Sequence, residues 1–473
     1  MAILRLMPMT ILAATLVSAV PSLAQTCRPM ESSALGVDTG MTDVLPQRCD
    51  EAGKCRIFNI SGRPIGEPGD YVVSRTASAV GLVAVQTKKS GLQGYMNADG
   101  TWKIEPQFKH AGPYCDERAA VQRVDGLWVY LDREGQEIGG PWDGAEAFTE
   151  GRGLVTSYKG GDKFLHGYID TTGKVAIPVQ FAGARLFSEG LAAVLVDGKW
   201  GYIDRDGKMV IPPRFAEAEA FGGGRAVVRV GAGWGRNAGL IDAAGKFIVE
   251  PRYEQITRIG DRFWSVGVTD SAYRGDGEPP LLSRLVDAKG HPVSTRSYNS
   301  FGASEDGMIS VCRNDRCGFM DIHGKLAIPL KYKGVADFQE GLAAVTTDGD
   351  RYGFIDRDGK LVLPERYDSL GPHHEHFGAG PFANGLAPAG CKGYWGFIGK
   401  DGAWAIPPIY RFAEPFENGF APVQIKTGTG HLRPDGSAID FTPAEVDGIA
   451  LSPRPCGAPL ARATGWHGNP GSE

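Results

Sequence analysis

The chain has 473 residues, with 50 Lys+Arg against 55 Asp+Glu and a formal net charge of −5. Without a long basic run, that balance excludes an ordinary nucleic-acid binder, which shows a basic stripe. The 67 glycines and 31 prolines would suit a disordered chain, but 45 residues are Phe, Trp or Tyr, and disordered chains are poor in aromatics.

Residues 1–24 read as a secretory signal: Arg5 forms a basic start, Ile11 to Val20 an apolar run, and Ser22-Leu23-Ala24 a small-x-small cleavage site. The run is shorter than the roughly 20 residues of a membrane-spanning helix, and no later segment approaches that length. The mature chain is therefore expected to be exported, to the periplasm or beyond the cell, with no transmembrane segment. All eight cysteines, Cys27, Cys49, Cys55, Cys115, Cys312, Cys317, Cys391 and Cys456, lie beyond this site. An even number in an oxidising compartment points to disulfides, and no CxxC pair suggests metal or redox chemistry. Residues 25–54 read as an N-terminal disulfide-rich segment.

From 55 to 440 the chain repeats. Trp200-Gly201-Tyr202-Ile203-Asp204-Arg205-Asp206-Gly207-Lys208 returns as Tyr352-Gly353-Phe354-Ile355-Asp356-Arg357-Asp358-Gly359-Lys360, and again around Gly167 and Gly318. Turn glycines from Gly62 to Gly436 recur 34 to 45 residues apart and define about eleven units, several degenerate. Each good unit runs Phe-x-Glu/Asn-Gly-Leu-Ala, then Trp-Gly-Tyr-Ile-Asp, then Ile-Pro leading to an aromatic residue. Asp197-Gly198 and Asp206-Gly207 are hairpin turns, because their positions favour positive φ. The expected unit is a three-stranded antiparallel meander, which must stack on neighbours to bury its aromatics. Trp128-Val129-Tyr130 lacks the glycine, and the unit near Gly290 has lost both Trp-Gly and Ile-Pro. Eleven units exceed the usual 4–8 propeller blades, so the expectation is an open or superhelical all-β array, with a closed β-propeller or two subarrays as alternatives. Residues 441–473 read as a Pro/Gly-rich tail.

These units resemble the WG-repeat (KWG-repeat) family of bacterial proteins. The resemblance spans roughly 55–440 and implies a repeat fold but no agreed activity.

Aligning Cys317 with Trp200 puts Cys312 where Leu195 faces the tryptophan, across an Asn314-Asp315 turn. That pair is of the close type, with Cα atoms about 4.5 Å apart, within disulfide reach. The same alignment pairs Cys49 with Cys55. The other four cysteines can pair in three ways; Cys27–Cys115 and Cys391–Cys456 would tie each terminus to its end of the array.

Little else suggests chemistry. Asp204/Asp206 and Asp356/Asp358 lack the third acidic ligand typical of a calcium loop and read as turn caps. Trp200, Tyr202, Phe215 and Phe221 could line a carbohydrate groove, but aromatics at fixed repeat positions read as inter-unit core. No Gly-x-Ser-x-Gly, His-Glu-x-x-His or Walker motif occurs, so no catalytic residue is assigned. His373, His374 and His376 form a short His-rich loop, where His374 and His376 share a face in an extended chain. If this loop binds zinc, copper or nickel, it does so weakly and only with neutral imidazoles; otherwise no cofactor is implied. The functional expectation is a non-enzymatic exported protein that presents an extended surface to a protein or cell-envelope partner. An envelope glycan-acting hydrolase or subunit, or a periplasmic metal-binding protein, is the alternative.

Overall fold

The computed structural model describes residues 47–49, 55–59, 63–67, 69–73, 81–97, 99–161, 163–231, 237–271, 281–302, 306–368, 380–417, 419–426, 428–442, 446 and 456. Among them are forty strands, all paired antiparallel, and no α-helix. No helix of the described residues is long and apolar enough to cross a membrane. The proposed signal at 1–24 and the histidine loop lie outside the described residues, as does Cys27.

The strands form ten sheets, of which the seven-stranded one holds two repeats, giving eleven units. In order they span 47–65, 71–108, 110–142, 144–181, 183–215, 217–253, 255–287, 300–332, 334–368, 386–410 and 412–432, and are called units 1 to 11 here. Units 9 and 10 are joined by a single pairing, Asp368 with Gly390.

Most units have four strands rather than the expected three. The correction comes from the Ile-Pro strand. In unit 5, Met209–Phe215 pairs with Lys199–Asp204, and after one bend residue the chain continues as Glu217–Ala218, already paired in unit 6. The chain stays extended because nothing after the closing aromatic forms a turn, so each unit lends its neighbour a short first strand.

The first strand, Gln47–Cys49, lies beside the last, Gly428–Leu432. The two ends of the array meet, which corrects the open or superhelical expectation in favour of the closed alternative. Period and turn chemistry fix a unit, but the small rotation between units that decides closure is set by packing and leaves no residue pattern.

Neighbouring units pack through one recurring contact. In most units a tyrosine or phenylalanine two places after the Trp position meets an aromatic ring of the next unit edge-on or tilted: Tyr168 with Phe187 at 4.9 Å, Tyr202 with Phe221 at 5.0 Å, Phe319 with Phe338 at 4.7 Å. Where the ring is tyrosine, its hydroxyl donates to a carbonyl of that neighbour, as Tyr202 does to Glu219 O at 2.7 Å. Tyr202, Phe215 and Phe221 are buried. These aromatics are inter-unit core and line no groove.

Candidate functional site

The Trp-Gly pair is best understood from its glycine. In unit 5, Trp200 faces Phe215 and Tyr202 faces Ile211, so Gly201 alone stands opposite Pro212, Pro213 and Arg214. The longer strand bulges over it, and a Cβ on Gly201 would lie 2.5 Å from the Ile211 carbonyl oxygen. Gly353 is equally tight against Leu363. Only glycine fits beneath such a bulge. Unit 3 solves the same problem from the other strand: Val129 replaces the glycine, and the facing bulge contains Gly139 and Gly140, at φ 58° and 124°.

Beside this glycine runs a cross-strand row whose backbone is constant and whose chemistry is not. In unit 5 it is Gly183, Leu195, Trp200 and Phe215; the indole reaches over Gly183, and the Arg185 guanidinium sits 5.4 Å from its ring centre. Unit 3 has His110, Gln122, Trp128 and Trp142, with the His110 ring tilted against Trp128 at 5.3 Å. In unit 4 the tryptophan is replaced by His166, whose Nδ1 is 3.0 Å from Thr156 Oγ1; burial holds this imidazole below its ordinary pKa. Unit 6 has Ala238 and a Glu217–Arg229 ion pair, unit 9 Tyr352 beside Thr346, and unit 10 Trp395. In unit 8 the row holds Cys312 opposite Cys317, joined as a disulfide with Cα atoms 4.1 Å apart across the turn of Asn314 and Asp315.

Other cysteines bind more distant parts. Cys391 is bonded to Cys456, the second described pair that the sequence suggests. Cys115 is disulfide-bonded, and Cys49 and Cys55 are register partners in unit 1.

One end of every meander carries charge, and most of it is used internally. Asp204 Oδ1 accepts from Asp206 N and Lys208 N, and Asp356 repeats this with Asp358 and Lys360, so the first Asp of each Asp-x-Asp-Gly caps its own turn. Among the described residues no group of three or more His, Cys, Asp or Glu could hold a metal ion. The acidic residue of each Glu-Gly turn binds the next unit: Glu150 accepts from Gly190 N at 2.8 Å and faces Arg205 at 3.3 Å, while Asp306 accepts from Gly341 N and faces Arg357. These contacts set the register between units.

Three features were not legible as site residues. Asp337 is half-buried between units 8 and 9, accepts from Ser310 Oγ at 2.7 Å, and has its pKa pushed up to about 6 by desolvation. In unit 11, His431 stands where other units have the tyrosine and lies 2.6 Å from Asp440. The signal was the substitution itself, His in Gly430-His431-Leu432 against the usual Gly-Tyr-Ile. Third, the unit 4 hairpin ends in a pair of rings in tilted contact, Tyr158 and Phe164, 48% and 50% exposed and flanked by Lys159 and Lys163.

The model of the "WG containing repeat" matches residues 94–128, 167–200, 200–234, 239–261, 318–349, 352–394 and 395–426. The chain belongs to the WG-repeat family. The matches pass over residues 129–166 and 262–317, which include the unit that exchanges its glycine for Val129 and the one that lost the motif near Gly290. No curated protein matches the chain. Among solved structures, BamB from Moraxella catarrhalis aligns at 13% identity over 61% of this WG-repeat chain and 93% of its own, with a TM-score of 0.32. The tricorn protease aligns at 13% identity over 85% of this chain and 47% of its own, with a TM-score of 0.25. Neither likeness bears on function.

Proposed function

We propose that this WG-repeat protein is an exported, non-enzymatic scaffold, a closed propeller-like ring that offers its hairpin tips and the partly exposed members of the Trp-position row to a protein or cell-envelope partner. The observation that carries this reading is the contrast within each repeat. The ring pairs between units, the turn aspartates and the Glu-Gly carboxylates are committed to contacts inside the array, whereas the cross-strand row, in which Trp128, His166, Trp200 and Tyr352 are half-buried, changes from indole to imidazole, ion pair and disulfide on an unchanged backbone. Repeat proteins recognise partners through such variable positions on a fixed frame. The Tyr158–Phe164 tip adds exposed aromatic surface of the kind found at binding hot spots. Disulfides fit an oxidising compartment and so the export expectation.

The test is cross-linking in the native envelope with the full chain and a Tyr158→Ser/Phe164→Ser variant. The expected result is a defined partner that is lost or weakened at least tenfold in the variant. Substrate turnover by the purified protein, abolished by a single Asp or Glu substitution, would contradict the reading.

A further inference from the structure

The hairpin of unit 4 reaches further than its neighbours. Its row pair, Thr156 and His166, is followed by Ser157 with Leu165 and Tyr158 with Phe164, then by a rung in which Lys159 N donates to Lys163 O at 2.9 Å. In units 3 and 5 a single rung follows the row pair before the turn, Arg123 with Leu127 and Val196 with Lys199. Two extra rungs at about 3.4 Å each carry the unit 4 tip roughly 7 Å beyond theirs. Tyr158 and Phe164 share the sheet face of Thr156 and His166, their rings 5.3 Å apart and half in solvent. Lys159, Gly160, Gly161 and Lys163 beyond them are all exposed.

This tip stands on the basic end of the array. Asp116 and Glu150 accept from Gly151 N and Gly190 N of the following unit, so the first turns of units 3 to 5 lie together and the hairpin tips lie at the other end. In the hairpin turns of units 2 to 5, Lys88, Lys89, Arg123, Lys159, Lys163 and Lys199 outnumber Asp125, Asp162 and Asp197. Arg123 is paired with Asp125 at 2.6 Å, whereas Lys88, Lys89, Lys159 and Lys163 form no ion pair with a described carboxylate. Asp143 Oδ2 is engaged by Tyr158 N at 2.7 Å. At the opposite end acids prevail, Asp132, Glu134, Asp170, Asp204 and Asp206 among them.

We propose that the unit 4 hairpin docks the array onto an anionic phospholipid bilayer, Tyr158 and Phe164 entering the headgroup layer and Lys159 and Lys163 meeting lipid phosphates. The proposal rests on the reading of the hairpin tips as a contact surface and names what they contact. Exposed aromatics alone would suit a protein partner, but protein interfaces are depleted of lysine. A bilayer surface takes both, because rings settle at headgroup level while lysine stems run along apolar surface and keep their ammonium groups among the phosphates. Successive residues alternate between sheet faces, so a hairpin lying with Tyr158 and Phe164 against the lipid holds both lysines at headgroup height. Standing clear of units 3 and 5, it can present that face to a flat surface. The exposed Val124 in the unit 3 tip adds apolar area beside it.

The test is co-sedimentation of the full chain, at low salt, with vesicles of phosphatidylcholine containing about one-third phosphatidylglycerol and with phosphatidylcholine alone. Wild type should bind the anionic vesicles roughly tenfold or more tightly than the neutral ones. Lys159→Glu/Lys163→Glu and Tyr158→Ser/Phe164→Ser should each weaken that binding about tenfold, while Lys208→Glu, in a turn at the opposite end, should bind like wild type. Folded wild type that does not bind the anionic vesicles overturns the proposal. So do tip variants that bind as wild type does, or a Lys208→Glu loss as large as that of the tip lysines. A protein partner cross-linked in the native envelope and lost with Tyr158 and Phe164, without vesicle binding, would overturn the bilayer and leave the scaffold reading standing.

Discussion

Met209–Phe215 in unit 5 and Trp404–Tyr410 in unit 10 hold the same place in their meanders, and both bulge over a glycine, Gly201 and Gly396. They differ on the outer face. Val210, Pro212 and Arg214 meet solvent, whereas Pro407 and Ile409 are buried, Ile409 within a cluster that Ala438, Phe441 and Val446 pack against. The backbone is thus dictated by the motif, while the side chains follow what lies beside it. Charge on an outer strand reflects solvent, and its loss reveals burial.

The comparison breaks most visibly at the first residue of the strand. Trp404 is 1% exposed and packs edge-on to Tyr367 at 5.8 Å, whereas its unit 9 equivalent, Leu361, is 47% exposed. Trp404→Ala should cost about 3–5 kcal/mol in denaturant unfolding and Leu361→Ala less than about 0.5 kcal/mol. Similar losses at both sites would mean that the burial of Trp404 against unit 9 contributes nothing.

A half-buried charge is the converse of a buried apolar strand. Desolvation lifts the Asp337 carboxyl from 3.8 to about 6, so the folded chain holds this proton more tightly than the unfolded one. Stability from this group is complete below about pH 4 and falls as pH rises to about 6. Asp337→Asn should remove that slope and gain up to roughly 3 kcal/mol at pH 7, as measured by urea midpoints across the pH range. An unchanged slope would show the carboxyl to be solvated.

Gly201→Ala tests the shared part of the two units. The added Cβ meets backbone, so a loss of about 1–3 kcal/mol is expected by calorimetry, with Gly396→Ala alike. Replacing Pro212-Pro213 by Gly-Gly, as in unit 3, should recover part of the Gly201→Ala loss. No recovery would mean that the glycines facing Val129 are not its compensation.

The smallest effect is expected on the open face. Gln180→Ile gives unit 4 the kind of residue that unit 10 buries; Gln180 is exposed, so stability should move by less than about 0.5 kcal/mol while aggregation on concentration increases.

Much of this fold was legible because its signals are local. Asp-Gly turns, alternating strands and the Asn314-Asp315 hairpin fix register within a unit, which is why the Cys312–Cys317 pairing follows from aligning Cys317 with Trp200. What depended on neighbours was not legible: the strand that passes from Phe215 into unit 6, the meeting of Gln47–Cys49 with Gly428–Leu432, and the partial burial of Asp337 between units. The burial of the unit 10 outer strand left a readable trace in Ile409, the apolar residue where units 4, 5 and 8 have Gln, Arg and Lys, but it becomes visible only when outer strands are aligned with one another. The varied row was hidden for a related reason, since the tryptophan of the repeat signature is one of its members and is itself replaced from unit to unit.

Hydroxyl-radical footprinting of the oxidised native protein tests the central comparison most directly, because it reads side-chain exposure residue by residue. The account predicts ready modification of Val210, Arg214 and Leu361 and protection of Trp404 and Ile409. Modification of Trp404 and Ile409 as fast as Val210 and Leu361 would contradict it.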